Sequence, residues 1–240
     1  MKYKAAIFDM DGTVLDTAGD LTDAINHALG SLGYRDDFTV EDSKFFFGSG
    51  IKVAITRAFA LAEGMASGRE LLRVGTEKDD ISPRIDEELV SKALEIYRPY
   101  YSTHNDIKTR EYPGITELLK SLKKAGIKTA VVSNKPNDSV VALSERLFNG
   151  LFDVYMGEQP GIERKPAPDM TLKILSELGM EKKDAVYIGD SEIDLLTAKN
   201  SGLDCITVTW GFRSREYLEE HGASVFADNT GEVLKLFEIS

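Results

Sequence analysis

Two patterns of apolar and polar residues divide the chain. Short apolar runs that stop at Gly or a charged residue read as buried strands, and apolar positions recurring every three or four residues read as helices. The first run, Ala5–Asp9 (AAIFD), leads into Asp11-Gly12-Thr13, and the next comparable run is Thr129–Ser133 (TAVVS). The intervening sequence is mostly helical in pattern. Leu21, Ile25, Leu29 and Leu32 form one stripe with Gly33 as its stop, and Ile51, Ile55, Phe59 and Ala62 form a second. Val90, Leu94, Tyr97 and Tyr101 form a third, in which Pro99 is predicted to kink or end the helix. The polar stretch from Ser67 to Glu87 is predicted to be partly loop.

After Tyr112 the pattern changes. Ile115, Leu118, Leu119 and Leu122 predict a helix closed by Gly126, followed by the Thr129–Ser133 strand. A helix around Val140–Phe148, a short strand near Val154–Met156 and a helix around Leu172–Leu178 come next. Strand Ala185–Gly189, helix Ile193–Asn200, strand Cys205–Thr209 and a weak strand at Val225–Ala227 complete the series. Strands alternating with helices of about ten residues predict a parallel sheet in an α/β core. Its first strand is separated from the rest by a helical insert. The expected division is residues 1–16 and 109–240 for the core and 17–108 for the insert. Ligands of such sheets lie beyond the carboxyl ends of the strands, so the polar residues there are the candidates.

Four strand ends carry chemistry. Asp9 and Asp11 stand two apart ahead of Gly12, on the same side of an extended segment. Like charges so close cannot both ionise comfortably without a cation, which divides the labour between nucleophile or metal ligand and acid–base group; an ordinary Asp-Gly turn is the plainer alternative. Ser133 and the N–H of Asn134 suit phosphate oxygens, or a simple cap. Lys165, in the proline-stiffened run Lys165-Pro166-Ala167-Pro168-Asp169, is either a fixed inward charge or a solvated side chain, with Asp169 placed to cap the next helix. Asp190 and Asp194 fit a hard cation or a structural hydrogen bond.

Charge narrows the choices. The 240 residues carry 29 Lys and Arg against 40 Asp and Glu, a formal net charge of −11. Such a chain has no general basic field for nucleic acid, and an anionic membrane repels it. With Cys205 as the single cysteine there is no intramolecular disulfide or cysteine-based zinc cluster, and it reads as a small core residue. The three histidines, His27, His104 and His221, lie outside the four strand ends and give no Ser-His-Asp arrangement. No apolar run of signal-peptide or membrane-span length is present, so a cytoplasmic protein is expected. The four strand-end carboxylates face one lysine, an imbalance that calls for a divalent cation before a phosphate dianion can bind. All-oxygen ligands with room for water and phosphate favour Mg²⁺ over zinc.

Taken in order, these four ends resemble the haloacid dehalogenase superfamily of phosphotransferases, and the runs Ser133-Asn134-Lys135-Pro136 and Gly48-Ser49-Gly50-Ile51-Lys52 look like its phosphoglycolate phosphatase-like branch. The resemblance runs over the whole chain and implies a Rossmann-like parallel sheet core with an inserted all-helical cap. It implies Asp9 as the nucleophile that becomes an aspartyl-phosphate, Asp11 as general acid and base, and Ser133, Asn134 and Lys165 as phosphate-binding residues. Mg²⁺ would be held by Asp9, the main-chain carbonyl of Asp11 and Asp190, with Asp194 beside them. Dehalogenases lack the acid at the Asp11 position, so hydrolysis of a small phosphorylated metabolite is expected, phosphoglycolate being favoured. A phosphomutase of the β-phosphoglucomutase type, a pyrophosphatase or a nucleotidase would need the same core. A signalling receiver domain also phosphorylates an Asp on an α/β sheet, but is about half this length and lacks the insert. A monomer or small homo-oligomer is expected.

The insert holds one further candidate. Gly48-Ser49-Gly50 opens the helix of Ile51, Ile55 and Phe59, and Lys52 adds a charge beside it. Gly48, Gly50 and Lys52 are expected either to read a carboxylate on the substrate or to form a plain glycine turn with Lys52 in solvent. The charged stretch Thr76–Glu88 matches nothing in the resemblance.

Overall fold

The computed structural model describes residues 2–239. Along the chain, β1 (Ala5–Phe8) and β2 (Leu15–Asp16) precede four helices, α1 (Ala18–Gly30), α2 (Val40–Ser43), α3 (Ile51–Ala62) and α4 (Glu87–His104). Then follow β3 (Arg110–Glu111), α5 (Ile115–Lys124), β4 (Lys128–Pro136), α6 (Asn137–Phe148), β5 (Val154–Glu158) and α7 (Asp169–Leu178). The last elements are β6 (Ala185–Gly189), α8 (Glu192–Ser201), β7 (Asp204–Val208), α9 (Arg215–Glu220), β8 (Phe226–Ala227) and α10 (Thr230–Leu236). The chain separates into two compact units, Met1–Asp16 with Arg110–Ser240, and Thr17–Thr109.

The first unit is built on a six-stranded parallel sheet in the order β5-β4-β1-β6-β7-β8. Its three central strands are buried on both faces, and their side chains alternate between two cores. Ala6 and Phe8, Val131, and Val186 and Ile188 pack with Leu118 and Leu122 of α5, Val140 and Leu143 of α6 and Val233 of α10. Ala5 and Ile7, Ala130 and Val132, and Ala185 and Tyr187 pack on the other side with Met170 and Ile174 of α7 and Ala198 of α8. The continuous apolar runs of the sequence are therefore strands between two helical layers.

Register brings the strand ends to one level. Phe8 stands opposite Val131 on one side and Ile188 on the other. One or two residues further along, the three strands deliver Asp9, Ser133 and Asp190 to the same edge. The chain leaves and re-enters this unit through β2 and β3, an antiparallel pair with Leu15 opposite Glu111 and Asp16 opposite Arg110.

In the second unit α1, α3 and α4 bury Leu21, Ile25 and Leu29, then Ile55 and Phe59, then Val90, Tyr97 and Tyr101. Buried Asp20 accepts hydrogen bonds from the main-chain N–H groups of Lys108 (2.8 Å) and Thr109 (2.9 Å), which ties the end of the unit to its beginning. Two expectations are narrowed and one is corrected. Of the two outcomes expected at Pro99, a kink or an end, the end is excluded, because α4 runs to His104 with Pro99 inside it. The 67–87 stretch is partly loop as expected, broken by 3₁₀ turns at Gly68–Arg73 and Ser82–Arg84, and it buries Leu71, Leu72, Val74, Ile81 and Ile85. Asp169 is the first residue of α7 and not its cap, a place taken by Pro168.

Candidate active site

Asp9 follows β1 directly and is buried, its N–H donating to the Ile188 carbonyl at 2.9 Å. One carboxylate oxygen, Oδ1, accepts from the Met10 N–H at 2.6 Å and pairs with Lys165 Nζ at 2.8 Å. The same ammonium lies 2.8 Å from Asp194 Oδ1. Burial opposes the charge of Lys165, but the carboxylates of Asp194 and Asp9 outweigh it and hold the ammonium well above the usual lysine range. The inward reading of Lys165 is therefore what the geometry shows.

Asp190 and Asp194 differ in how they are held. Asp190 Oδ1 accepts from Thr13 Oγ1 at 3.0 Å, and Oδ2 accepts from the Phe212 N–H at 2.7 Å. Gly12 and Gly211 press against this carboxylate so closely that a Cβ at either would overlap it. Asp194 closes a capping box at the start of α8, with Oδ2 accepting from the Ser191 hydroxyl (2.6 Å) and the Ser191 (3.1 Å) and Asp190 (3.2 Å) N–H groups. Asp194 thus orients Lys165 and the loop bearing Asp190.

Carboxylate oxygens of Asp9, Asp190 and Asp194 all lie within 4.8 Å of one another. Burial, with Asp194 adding repulsion, pushes the Asp190 carboxyl up to about 7. The same causes raise Asp9 well above the carboxylate range, with Lys165 opposing them. Buried carboxylates driven towards protonation are a place where a cation is favoured, and a donor set made only of oxygen suits a hard ion. The residues fit a hard divalent cation, the class to which Mg²⁺ belongs.

The tip of β4 connects the two halves of this constellation. Asn134 clamps the Lys165 loop, its Nδ2 donating to the Lys165 carbonyl (3.0 Å) and its Oδ1 accepting from the Lys165 N–H (2.9 Å). Ser133 and Lys135 turn the other way, as neighbours two apart on an extended strand do. Ser133 Oγ stands 3.5 Å from Asp11 Oδ2, and Lys135 Nζ pairs with Asp11 Oδ1 at 3.1 Å. Asp11 is less enclosed than Asp9, with 19% of its side chain exposed against 8%. Lys135 is a residue that the strand-end reading passed over, and it corrects the charge balance to four carboxylates against two lysines. Its position two residues after Ser133 was the available signal. Thr13 and the Phe212 N–H were also missed, and the latter has no mark in the sequence. Behind the site, Arg213 and Glu192 neutralise each other at 2.8 and 3.2 Å while buried. Cys205 lies against the core beside Tyr187, and burial pushes its thiol up.

The cap-loop candidates lie in the other unit. Gly48 and Gly50 both take left-handed backbone angles (φ 107° and 83°), and Gly50 precedes the first turn of α3. Lys52 is half-exposed and pairs with Glu87 at 2.6 Å.

Residues 6–208 match the family model described as haloacid dehalogenase-like hydrolase, and the chain belongs to that family. Its relatives place it in the phosphoglycolate phosphatase-like branch. A phosphoglycolate phosphatase of Agrobacterium fabrum is 33% identical over 97% of this chain and 92% of its own length. A solved structure from Lactobacillus delbrueckii subsp. bulgaricus, whose proposed assignment is phosphoglycolate phosphatase, is 53% identical and superposes with a TM-score of 0.95 over 98% of each chain. CbbY of Rhodobacter sphaeroides, crystallised in complex with phosphate, is 26% identical with a TM-score of 0.67 over 96% of each chain.

Proposed function

We propose that this chain hydrolyses small phosphomonoesters through an aspartyl-phosphate on Asp9, with Mg²⁺ as cofactor and phosphoglycolate as the favoured substrate. The observation that carries the reading is the separation of two neighbouring carboxylates onto different cations, Asp9 on Lys165 and Asp11 on Lys135. They can therefore do different work. Asp9, rigidly held and buried, attacks phosphorus as the ester P–O bond breaks. Asp11, at the more open position, gives a proton to the departing oxygen and then takes one from the water that hydrolyses the acyl phosphate. Lys165 and Ser133 stabilise charge on the transferring group. Mg²⁺, held by Asp9, Asp190 and the Asp11 main-chain carbonyl, would neutralise the charge that otherwise repels a phosphate dianion.

Sequence relatives named for phosphoglycolate support the substrate, and the likeness to a phosphate-bound structure supports the reacting group. The experiment is phosphate release from phosphoglycolate, sugar phosphates, nucleotides and pyrophosphate, with Mg²⁺ and with EDTA. The expected result is Mg²⁺-dependent release, fastest from phosphoglycolate. Isomerisation of a sugar phosphate without release would make the chain a mutase, and release unaffected by EDTA would remove the metal from the mechanism.

A further inference from the structure

We propose that Lys135 is the positioning residue for Asp11, holding the acid–base carboxylate in place through both steps of the reaction. The inference rests on the hydrolase reading above and adds a residue to it. Lysine is rarely buried without a partner, and the Lys135 side chain is only 3% exposed. Replacing a buried ion pair with apolar side chains is often neutral for stability, so folding alone is a weak reason for this one.

The surroundings supply a better reason. Asp11 sits in the turn after β1, where Gly12 (φ 87°) reverses the backbone and its N–H bonds the Leu15 carbonyl at 2.9 Å. That fixes the main chain, and the carboxylate beyond it meets the side chains of Lys135 and Ser133. Lys135 Nζ takes Oδ1, while Oδ2 lies towards Ser133 Oγ, at a distance too long for a firm hydrogen bond. Lys135 is itself tied to Ser133, its N–H donating to Ser133 Oγ at 3.1 Å. One strand end therefore sets the hydroxyl on the phosphate side and the ammonium on the acid–base side. Lys165 cannot replace it, because its ammonium is engaged by Asp9 and Asp194.

The test uses Lys135→Met, Lys135→Arg, Asp11→Asn and the Lys135→Met/Asp11→Asn double variant on two substrates. Phosphoglycolate needs a proton on its leaving oxygen, whereas p-nitrophenol departs without one. For Lys135→Met, kcat on phosphoglycolate should fall by about 10- to 100-fold with KM within about twofold, the pattern of an impaired acid–base step. The burst of p-nitrophenol from p-nitrophenyl phosphate should change by less than about threefold. Lys135→Arg should recover most of the lost kcat, with melting temperatures reported for every variant. In the Asp11→Asn background, Lys135→Met should add nothing to the loss, because its action passes through Asp11. A raised KM with kcat preserved would make Lys135 a substrate contact and overturn the proposal, as would multiplying losses in the double variant. Wild-type enzyme inactive on every phosphomonoester would bring down the hydrolase reading itself. An active wild type with an unimpaired Lys135→Met would bring down this inference alone.

Discussion

Both units bury cations, and one from each, Lys165 and Arg57, are treated differently. Lys165 of the sheet unit meets the carboxylates of Asp9 and Asp194. Arg57 of the helical unit, 1% exposed, donates to the main-chain carbonyls of Phe46 (3.1 Å) and Val74 (2.9 Å) and to Ser49 Oγ (3.2 Å). A compact ammonium among acids places charge where a reaction needs it. A planar guanidinium spread over carbonyls joins segments that are distant in sequence. Burial of a charge therefore does not reveal its purpose, but the chemistry of its partners does.

The contrast has measurable consequences. The largest belongs to the acid that Lys165 serves: Asp9→Asn should lower kcat on the order of 10⁴-fold or more with the fold intact. Retention of a tenth of the wild-type rate would end the covalent mechanism. Lys165→Met should lose about 10²- to 10³-fold in kcat/KM, and the thermal stability it loses should be restored by Mg²⁺, which neutralises the same carboxylates. Arg57→Met should do the opposite. It should lower stability by about 3 kcal/mol, because buried carbonyls lose their donors, with no Mg²⁺ rescue and kcat per folded molecule within about threefold. Thermal melts and active-site titration on the two variants decide between these outcomes. Equal rescue by Mg²⁺ would erase the distinction.

Two smaller effects sharpen it. With a carboxyl at about 7, Asp190 takes up a proton on folding between its ordinary range and neutrality, so without metal its contribution to stability falls as pH rises through that window. Mg²⁺ competes with that proton. The rise in melting temperature caused by Mg²⁺ should therefore be larger at pH 8 than at pH 5, and a constant shift would mean that the ion binds elsewhere. Lys52→Ala should have the least effect, below about twofold on kcat/KM, since solvent and salt screen an exposed pair such as Lys52–Glu87. Selective loss with phosphoglycolate and not with p-nitrophenyl phosphate would restore Lys52 as a carboxylate reader.

The strand ends were legible because both sides of a parallel strand are apolar, so the first polar residue marks the edge of the sheet. The burial of Ala185 through Gly189, followed at once by Asp190, shows this directly. What stayed hidden depended on contacts between distant segments. The Lys135–Asp11 pair exists because β1 and β4 are neighbours in a particular register, and no local pattern encodes that. Leu71, Leu72, Val74, Ile81 and Ile85 are buried in 3₁₀ turns and bends, where neither helical nor strand periodicity applies. Pro99 left two outcomes open for another reason. Helix α4 buries Tyr97 and Tyr101 on either side of it, and tertiary packing there outweighs the local cost of the missing N–H.

The β2–β3 pair has a consequence for modularity. Asp16 and Arg110 are cross-strand partners, so the two points where the helical unit joins the sheet unit are a few ångströms apart. A two-residue Asn-Gly turn can bridge such a pair. Ninety-odd residues can thus be exchanged as a cassette, for a shorter loop or a foreign domain with adjacent termini, without lengthening any connection in the sheet. The scaffold is open to recombination at one hairpin, and the groups proposed to cleave phosphate lie outside the exchanged segment.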